Sequence, residues 1–195
     1  MNPAIFQARQ LDAAHHIWIS RPQAELARAG DGFSELWNAH PDIFHKVKFM
    51  GKEVDTPRWQ QAYGKNYRYT GSQNNALPIP EILQPYLDWA KKEVDPRLNG
   101  LLLNWYDGKK GHYIGAHRDD TRDLIQGSPV VTISVGEQRT FRLRPWKQKG
   151  MKDFPVGNGQ VIVVPWETNE TWTHEVPHFA ENIGRRISVT LRAYS

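Results

Sequence analysis

The second half of this chain is strand after strand, and that pattern limits its fold more than any other feature. Residues 101–106, 130–135, 140–144, 160–164 and 186–192 are short runs of β-branched, leucine and aromatic side chains. Turns containing Gly or Pro separate them, the punctuation of short antiparallel strands. The front half reads differently. Residues 25–29 and 31–37 read as short helices, the second with Asp31 or Ser34 near its start. Residues 80–92 make a stronger helix, because Ile82, Leu83, Tyr86, Leu87, Trp89 and Ala90 approximate a helical stripe. Pro85 lies early enough in that stripe to be tolerated. A helical front followed by many short strands predicts an α+β chain, with a jelly-roll core of two antiparallel sheets buttressed by N-terminal helices. No repeat, low-complexity stretch or linker interrupts the sequence. Its 195 residues therefore read as one domain, 1–100 as support and 101–195 as core.

Within the strand-rich half, Gly115-Ala116-His117-Arg118-Asp119-Asp120 places two metal-ligand side chains two residues apart. In an extended strand such a pair shares one face, so His117 and Asp119 can grip one ion together. His174 offers a second imidazole far downstream. Two histidines and a carboxylate make the facial triad that binds Fe(II) and leaves positions open for a cosubstrate and dioxygen. The chain lacks cysteine, which excludes disulfides and thiolate ligands. Of the competing histidines, His178 stands four residues after His174, but Pro177 between them disfavours the helix a paired site would need. Alternation on the last strand puts Arg186, Ser188, Thr190 and Arg192 on one face. Arginine forks onto carboxylates, so the triad and this strand together point to iron and a carboxylate-bearing cosubstrate, with 2-oxoglutarate the obvious candidate.

Three runs carry a family resemblance: Asn104-Trp105-Tyr106-Asp107-Gly108, then His112 to Asp120, then Gly127-Ser128-Pro129-Val130. Together they resemble the AlkB-like dioxygenases, across roughly residues 49–192, and within them the branch that repairs duplex DNA. The resemblance implies a double-stranded β-helix, the same jelly roll the strand pattern predicts. It implies Fe(II), 2-oxoglutarate and O2 as cofactor, cosubstrate and oxidant, with His117, Asp119 and His174 as both metal ligands and catalytic centre. It carries Asn104, Tyr106, Arg186, Thr190 and Arg192 onto cosubstrate positions, and Ser188 stands where many relatives have Asn. Physical chemistry agrees: Arg186 suits the distal carboxylate, and Arg192 suits the metal end or the orientation of Asp119.

The same resemblance assigns recognition elements to a nucleotide-recognition lid within 1–100. Phe49-Met50-Gly51-Lys52 is similar to a hydrophobic finger that wedges into the base stack, with Met50 where relatives carry an aromatic. Tyr67-Arg68-Tyr69 is similar to a base-pocket lid, in which Tyr69 stacks on a flipped base and Tyr67 hydrogen-bonds to the base or a phosphate. Asp120 matches an acid that faces a cationic lesion. Lys46, Lys48, Lys52, Arg58, Lys65 and Arg68 form a basic neighbourhood around these aromatics.

The activity so implied is oxidative dealkylation of N-alkylated bases, most directly DNA repair, with release of formaldehyde and succinate. The expected partner is alkylated DNA, or RNA, met by a monomer. A net charge of +4 suits an anionic partner. No run approaches the roughly 20 apolar residues of a membrane span, and the first residues lack a secretion pattern. An intracellular location is expected, in cytoplasm or nucleoid for a bacterial chain and nucleus for a eukaryotic one. Two alternatives share parts of this reading: a same-core dioxygenase that hydroxylates a protein or small molecule, and a catalytically silent nucleic-acid-binding module.

Overall fold

The computed structural model describes residues 1–49, 51–69 and 72–195, with the side chains of Phe49 and Tyr69 outside that description. Strands β1 (Phe6–Gln10) and β2 (His16–Ser20) precede helix α1 (Gly30–Asn38). Next come β3 (Lys46–Phe49), β4 (Lys52–Asp55), β5 (Trp59–Tyr63), β6 (Tyr67–Tyr69) and β7 (Ser72–Asn74). Helix α2 (Gln84–Glu93) leads into β8 (Gly100–Asp107), β9 (Ile114–His117) and β10 (Val130–Gly136). After these follow β11 (Arg139–Pro145), β12 (Lys152–Val156) and β13 (Val161–Val164). Helix α3 (Trp166–Thr171) then enters β14 (Trp172–Val176), and β15 (Arg185–Arg192) closes the core.

The larger sheet has seven strands in the order β1-β2-β13-β10-β15-β8-β5, and the smaller has four in the order β12-β11-β14-β9. Neighbours in both sheets run antiparallel, which makes this the jelly roll that the strand pattern predicts. The pairs β3–β4 and β6–β7 stand apart as two-stranded sheets.

Period-two alternation sorts the central strands into two chemistries. Leu101, Leu103 and Trp105 of β8, Val131, Ile133 and Val135 of β10, and Ile187, Val189 and Leu191 of β15 share one core. That core packs beneath Leu36 and Trp37 of α1 and Tyr86, Leu87 and Ala90 of α2. The residues between them face the other way, toward the smaller sheet. There Val130, Ile162 and Val164 meet Phe141, Leu143, Trp172 and Val176 in a second apolar cluster. The intervening positions of β15, namely Arg186, Ser188, Thr190 and Arg192, are all buried. They line the interior of the sandwich.

The front half departs from its predicted helical character. It supplies α1 and α2, but also β1, β2 and β5 to the larger sheet. The expected helix at 25–29 is only a turn over residues 24–26. Pro22 and Gly30 bracket that segment, and the Gln23 N–H bonds to Gly159 O instead of starting a helix. The stripe at 80–92 begins as a 3-10 turn, Glu81–Leu83, before α2 proper, which places Pro85 in the first helical turn.

Trp105 joins the wall to the helices: fully buried, it donates from Nε1 to Leu36 O at 3.0 Å. Trp105→Ala should therefore destabilise the fold by about 3–5 kcal/mol, read as a lower midpoint in urea denaturation. An unchanged midpoint would mean that the helix layer is not held through this residue.

Candidate metal and cosubstrate centre

His117 is the last residue of β9 and pairs directly with His174 on β14, their ring centroids 4.4 Å apart. Asp119 follows just beyond the strand end, so the shared face expected for His117 and Asp119 comes from a strand and the loop that leaves it. The ligand atoms of His117, Asp119 and His174 all lie within 4.8 Å of one another, close enough to hold one metal ion. His117 Nδ1 bonds to Gly115 O at 2.9 Å, which puts its proton there and the lone pair on Nε2. His174 stacks on Phe141, and its Nδ1 is buried without a hydrogen-bond partner.

Asp119 is fixed from three directions. Arg192 of β15 grips its carboxylate with Nε to Oδ2 at 3.1 Å and Nη2 to Oδ1 at 2.8 Å. Tyr67 donates its hydroxyl to Oδ1 at 3.4 Å, and the Arg192 guanidinium lies 4.7 Å from the centre of the Tyr67 ring. Asn169 on α3 clamps the backbone, accepting from Asp119 N at 3.0 Å and donating to Asp119 O at 3.1 Å. The sequence offers no signal for Asn169 beyond a polar residue in a turn of helix before β14.

These surroundings set the protonation states that a metal requires. Burial, and then the neighbouring His174, lower His117 from the usual 6.5 to about 3. Burial also lowers His174. Burial alone would raise Asp119, but Arg192 and the two histidines overcome it and hold the carboxyl well below its ordinary value. Neutral imidazoles and an ionised carboxylate are what a divalent ion binds.

The strand face on which a cosubstrate is expected is as buried as the three candidate metal ligands. Arg186 is 1% exposed, lies over the Tyr106 ring at 5.3 Å and donates Nε to Ser134 Oγ at 2.9 Å. Its Nη1 has no hydrogen-bond partner, and no carboxylate pairs with it among the described residues. A buried guanidinium without an anion is costly, so the site is complete only when an anionic ligand enters. Asn104, Tyr106, Ser188 and Thr190 line the same cavity as Arg186, His117 and His174. Thr190 shares a 3.2 Å hydroxyl contact with Thr132. This donor set fits a dicarboxylate with one end at the metal and the other at Arg186.

Arg58 corrects one expectation. Grouped by sequence with surface lysines, it is buried, with Nε bonded to Asn104 Oδ1 at 2.7 Å and Nη2 to Gln60 Oε1 at 3.0 Å. With its oxygen engaged, Asn104 is left with its NH2 for the cavity. Lys46, Lys48, Lys52, Lys65 and Arg68 are exposed as expected.

The recognition residues are dispersed. Tyr67 is buried against Asp119 and Arg192, at the metal cluster itself. Arg68 pairs with Asp123 at 3.6 Å, and Asp120 is held by a two-point pair with Arg122. Gly51 turns the β3–β4 hairpin at φ 78°, a left-handed backbone that suits glycine, beside the exposed Lys52. The wedge expected of Met50 lies outside the described residues, as do the side-chain roles expected of Phe49 and Tyr69.

A jelly roll that encloses two imidazoles, a carboxylate and an unpaired arginine defines an oxygenase of the iron and 2-oxoacid class. The family described as the 2OG-Fe(II) oxygenase superfamily matches residues 17–192, and this chain belongs to it. Its cofactor is Fe(II), its cosubstrate 2-oxoglutarate and its oxidant O2. The chain is 28% identical over 200 residues to the human "DNA oxidative demethylase ALKBH2", covering 95% of this chain and 74% of that one. It is 28% identical over 149 residues to the rat "Alpha-ketoglutarate-dependent dioxygenase alkB homolog 3", covering 70% of this chain and half (50%) of that one. The solved structure titled "The structure of OsALKBH1" superposes with a TM-score of 0.62 at 15% identity, covering 96% of this chain and 100% of that one. No helix among the described residues is long and apolar enough to cross a membrane.

Two measurements check the centre. Replacing Arg186 with Leu removes the charge-assisted fork, worth about 1.5–3 kcal/mol, so the Kd for 2-oxoglutarate should rise roughly 10- to 150-fold. Metal affinity should stay near wild type, and calorimetry with Mn(II) reads both; unchanged 2-oxoglutarate affinity would remove β15 as the cosubstrate wall. The second is pH dependence of the metal-free protein. His117 and His174 titrate lower folded than unfolded, so their contribution is present above about 6.5, the unfolded value, and is lost as pH falls toward the folded values. Thermal midpoints should decline from pH 7 to 5, and less so for the double variant His117→Asn, His174→Asn. Equal declines in both proteins would refute the assignment.

Proposed function

We propose that this enzyme removes alkyl groups from base nitrogens in nucleic acid, with alkylated DNA as its substrate. It would act as an intracellular monomer. The observation that carries this reading is the placement of Tyr67, whose hydroxyl meets the metal cluster while its strand β6 belongs to a separate small sheet flanked by exposed basic residues. A base drawn under that sheet arrives beside the metal, with the exposed Lys46, Lys48, Lys52 and Lys65 available for phosphates. The likeness to ALKBH2, a DNA oxidative demethylase by name, supports the same substrate.

His117, Asp119 and His174 are assigned as the protein's metal ligands. When bound, Fe(II) and 2-oxoglutarate supply the oxidation, one oxygen atom of O2 going to succinate with loss of CO2 and the other to the alkyl carbon. Every remaining task belongs to this chain. Arg186 receives the distal carboxylate and so fixes how far the cosubstrate extends from the metal. Asn104 presents its NH2 to the cavity because Arg58 holds its oxygen. Arg192 and Asn169 keep Asp119 ionised and aimed. Phe141, Leu102 and Ile114 line the cavity with apolar surface and keep water from it. The hydroxylated N-alkyl product is a hemiaminal, which collapses to aldehyde and free base without help from the protein.

Mass spectrometry of methylated oligonucleotides incubated with enzyme, iron and 2-oxoglutarate is the direct test. Loss of the methyl mass with matching formaldehyde and succinate is expected. His117→Ala, Asp119→Ala and His174→Ala should each abolish both turnover and stoichiometric metal binding. Turnover retained in the His174 variant would move that ligand to another histidine. If wild type forms succinate but leaves every oligonucleotide intact, a protein or small-molecule substrate replaces nucleic acid.

A further inference from the structure

Arg139 is buried, yet it touches none of the three metal ligands. It opens β11, whose alternate residues Arg139, Phe141 and Leu143 are buried between the sheets. Three residues earlier Gly136 ends β10 in register with Arg186. A single turn therefore carries the chain from beside Arg186 to the inner face of the smaller sheet. Arg139 Nε stands 2.8 Å from Glu137 Oε2, and Nη2 donates to Gly184 O at 3.0 Å. The other oxygen of Glu137 accepts from Gly184 N at 2.7 Å. Gly108, which ends the Asn104–Gly108 run, makes the room: a Cβ there would meet Arg139 Nη2 at 2.7 Å.

Locking a turn to a loop does not require charge. Burying a guanidinium with its carboxylate is costly, and neutral side chains could make the same two bonds to Gly184. What the charge does reach is the far end of the cosubstrate cavity. Tyr106 is common to both arginines: it hydrogen-bonds to Arg186 and stands in the field of Arg139. Burial above all lowers both guanidiniums from their ordinary value, and the charge of Arg139 adds to the burden on Arg186. Each keeps a buried Nη1 without a hydrogen-bond partner among the described residues. Glu137 is the carboxylate that meets Arg139, while Asp107 turns to Lys109 N at 3.0 Å. The Glu137 side chain is 27% exposed and that of Arg139 1%, so water screens the anion more than the cation. Their pair therefore presents a net positive field inward, toward Arg186. A unit charge roughly 10 Å from a ligand changes its binding constant about tenfold at an effective dielectric of about 20.

We propose that Arg139 is a second cation of the cosubstrate site, standing behind Arg186, and that Glu137 partly cancels it and so sets how strongly the site prefers a distal carboxylate. Arg139 makes no contact with the ligand in this arrangement. It acts through its field and through Tyr106 and Arg186, as a residue that fixes cosubstrate specificity. The inference rests on the reading of Arg186 as the seat of the distal carboxylate.

The test is calorimetry on the full chain loaded with Mn(II), with two ligands. One is 2-oxoglutarate; the other is 2-oxopentanoate, which keeps the metal end and the chain length but ends in a methyl group. Glu137→Gln keeps an oxygen for Gly184 N and removes the negative charge, so 2-oxoglutarate should bind about three- to tenfold more tightly. Arg139→Gln should weaken it about tenfold, and the double variant, which removes both charges, should return within about threefold of wild type. The Kd for 2-oxopentanoate should stay within about twofold throughout. A merely structural role for the pair predicts the opposite sign for Glu137→Gln, since a loosened turn weakens both ligands. The Glu137 variant therefore decides the matter even if Arg139→Gln does not fold. Unchanged or weaker 2-oxoglutarate binding by Glu137→Gln overturns the proposal, and so does an equal shift for the two ligands. Arg186→Leu separates the two failures. If that variant binds 2-oxoglutarate as wild type does, the seat of the distal carboxylate is wrong and the role of Arg139 falls with it. If it binds weakly while Glu137→Gln changes nothing, the seat stands and only the second cation fails.

Discussion

The two-point bond between Arg192 and Asp119 joins the last strand of the larger sheet to the loop that leaves the smaller one. Both side chains are almost wholly buried. Two charges taken out of water in this way cost several kcal/mol each, and attraction repays that only with good geometry and further hydrogen bonds. Here the geometry is bidentate, and Tyr67 and Asn169 complete the shell. As a stabilising device the pair is poor, because apolar residues would pack there at lower cost. Its value is positional. A carboxylate that must stay ionised in a buried cluster needs a fixed cation behind it, and Arg192 supplies one.

Arg186 shows the opposite arrangement on the same strand. Six positions before Arg192 and on the same face, it has Ser134 and the Tyr106 ring for company but, among the described residues, no carboxylate. Arg58 is likewise buried on two carboxamides. The interior therefore holds more positive than negative charge before any ligand arrives, and part of the fold's stability is given up to keep it so. An anionic cosubstrate then enters a site whose dipoles and charges are already in place, and little reorganisation is left to oppose binding. The wall of Leu103, Trp105, Val189 and Leu191 behind it makes that tension tolerable, since it buries enough apolar surface to hold the strands in register.

Alternation made the wall legible in the sequence. The coincidence of His-x-Asp, a distant His and Arg-x-Ser-x-Thr-x-Arg points to an interior face for residues 186–192, and burial of all four polar residues agrees. The five strands read from the sequence all exist, because central strands carry β-branched side chains on at least one face. Edge and recognition strands carry fewer of them. β1 reads Phe-Gln-Ala-Arg-Gln with one buried residue, and β12 contains a proline, so neither shows a hydrophobic period. Arg58 departs from its expected place for a related reason: charge in a sequence says nothing about burial, and only the acceptors on Gln60 and on Asn104 of the neighbouring strand reveal where it lies. Asn169 had no signal at all, since its role is to bond the backbone of a residue fifty positions away.

The difference in legibility follows a division of labour in the structure. Residues assigned to metal and cosubstrate sit on, or immediately beside, strands of two packed sheets, whose register determines where each points. Residues assigned to substrate sit largely on the β3–β4 and β6–β7 pairs, and a two-stranded sheet is marginal by itself. Those two pairs lean on each other through Ser72, whose hydroxyl donates to Lys46 O at 2.8 Å and meets His45 Nε2 at 3.3 Å. They touch the core through few groups, chiefly Asn74, which accepts from Ala62 N, and Tyr67. Substitutions on their outer faces therefore leave the catalytic wall undisturbed. A fold arranged this way fixes its oxidative chemistry strand by strand while its substrate surface is free to diverge.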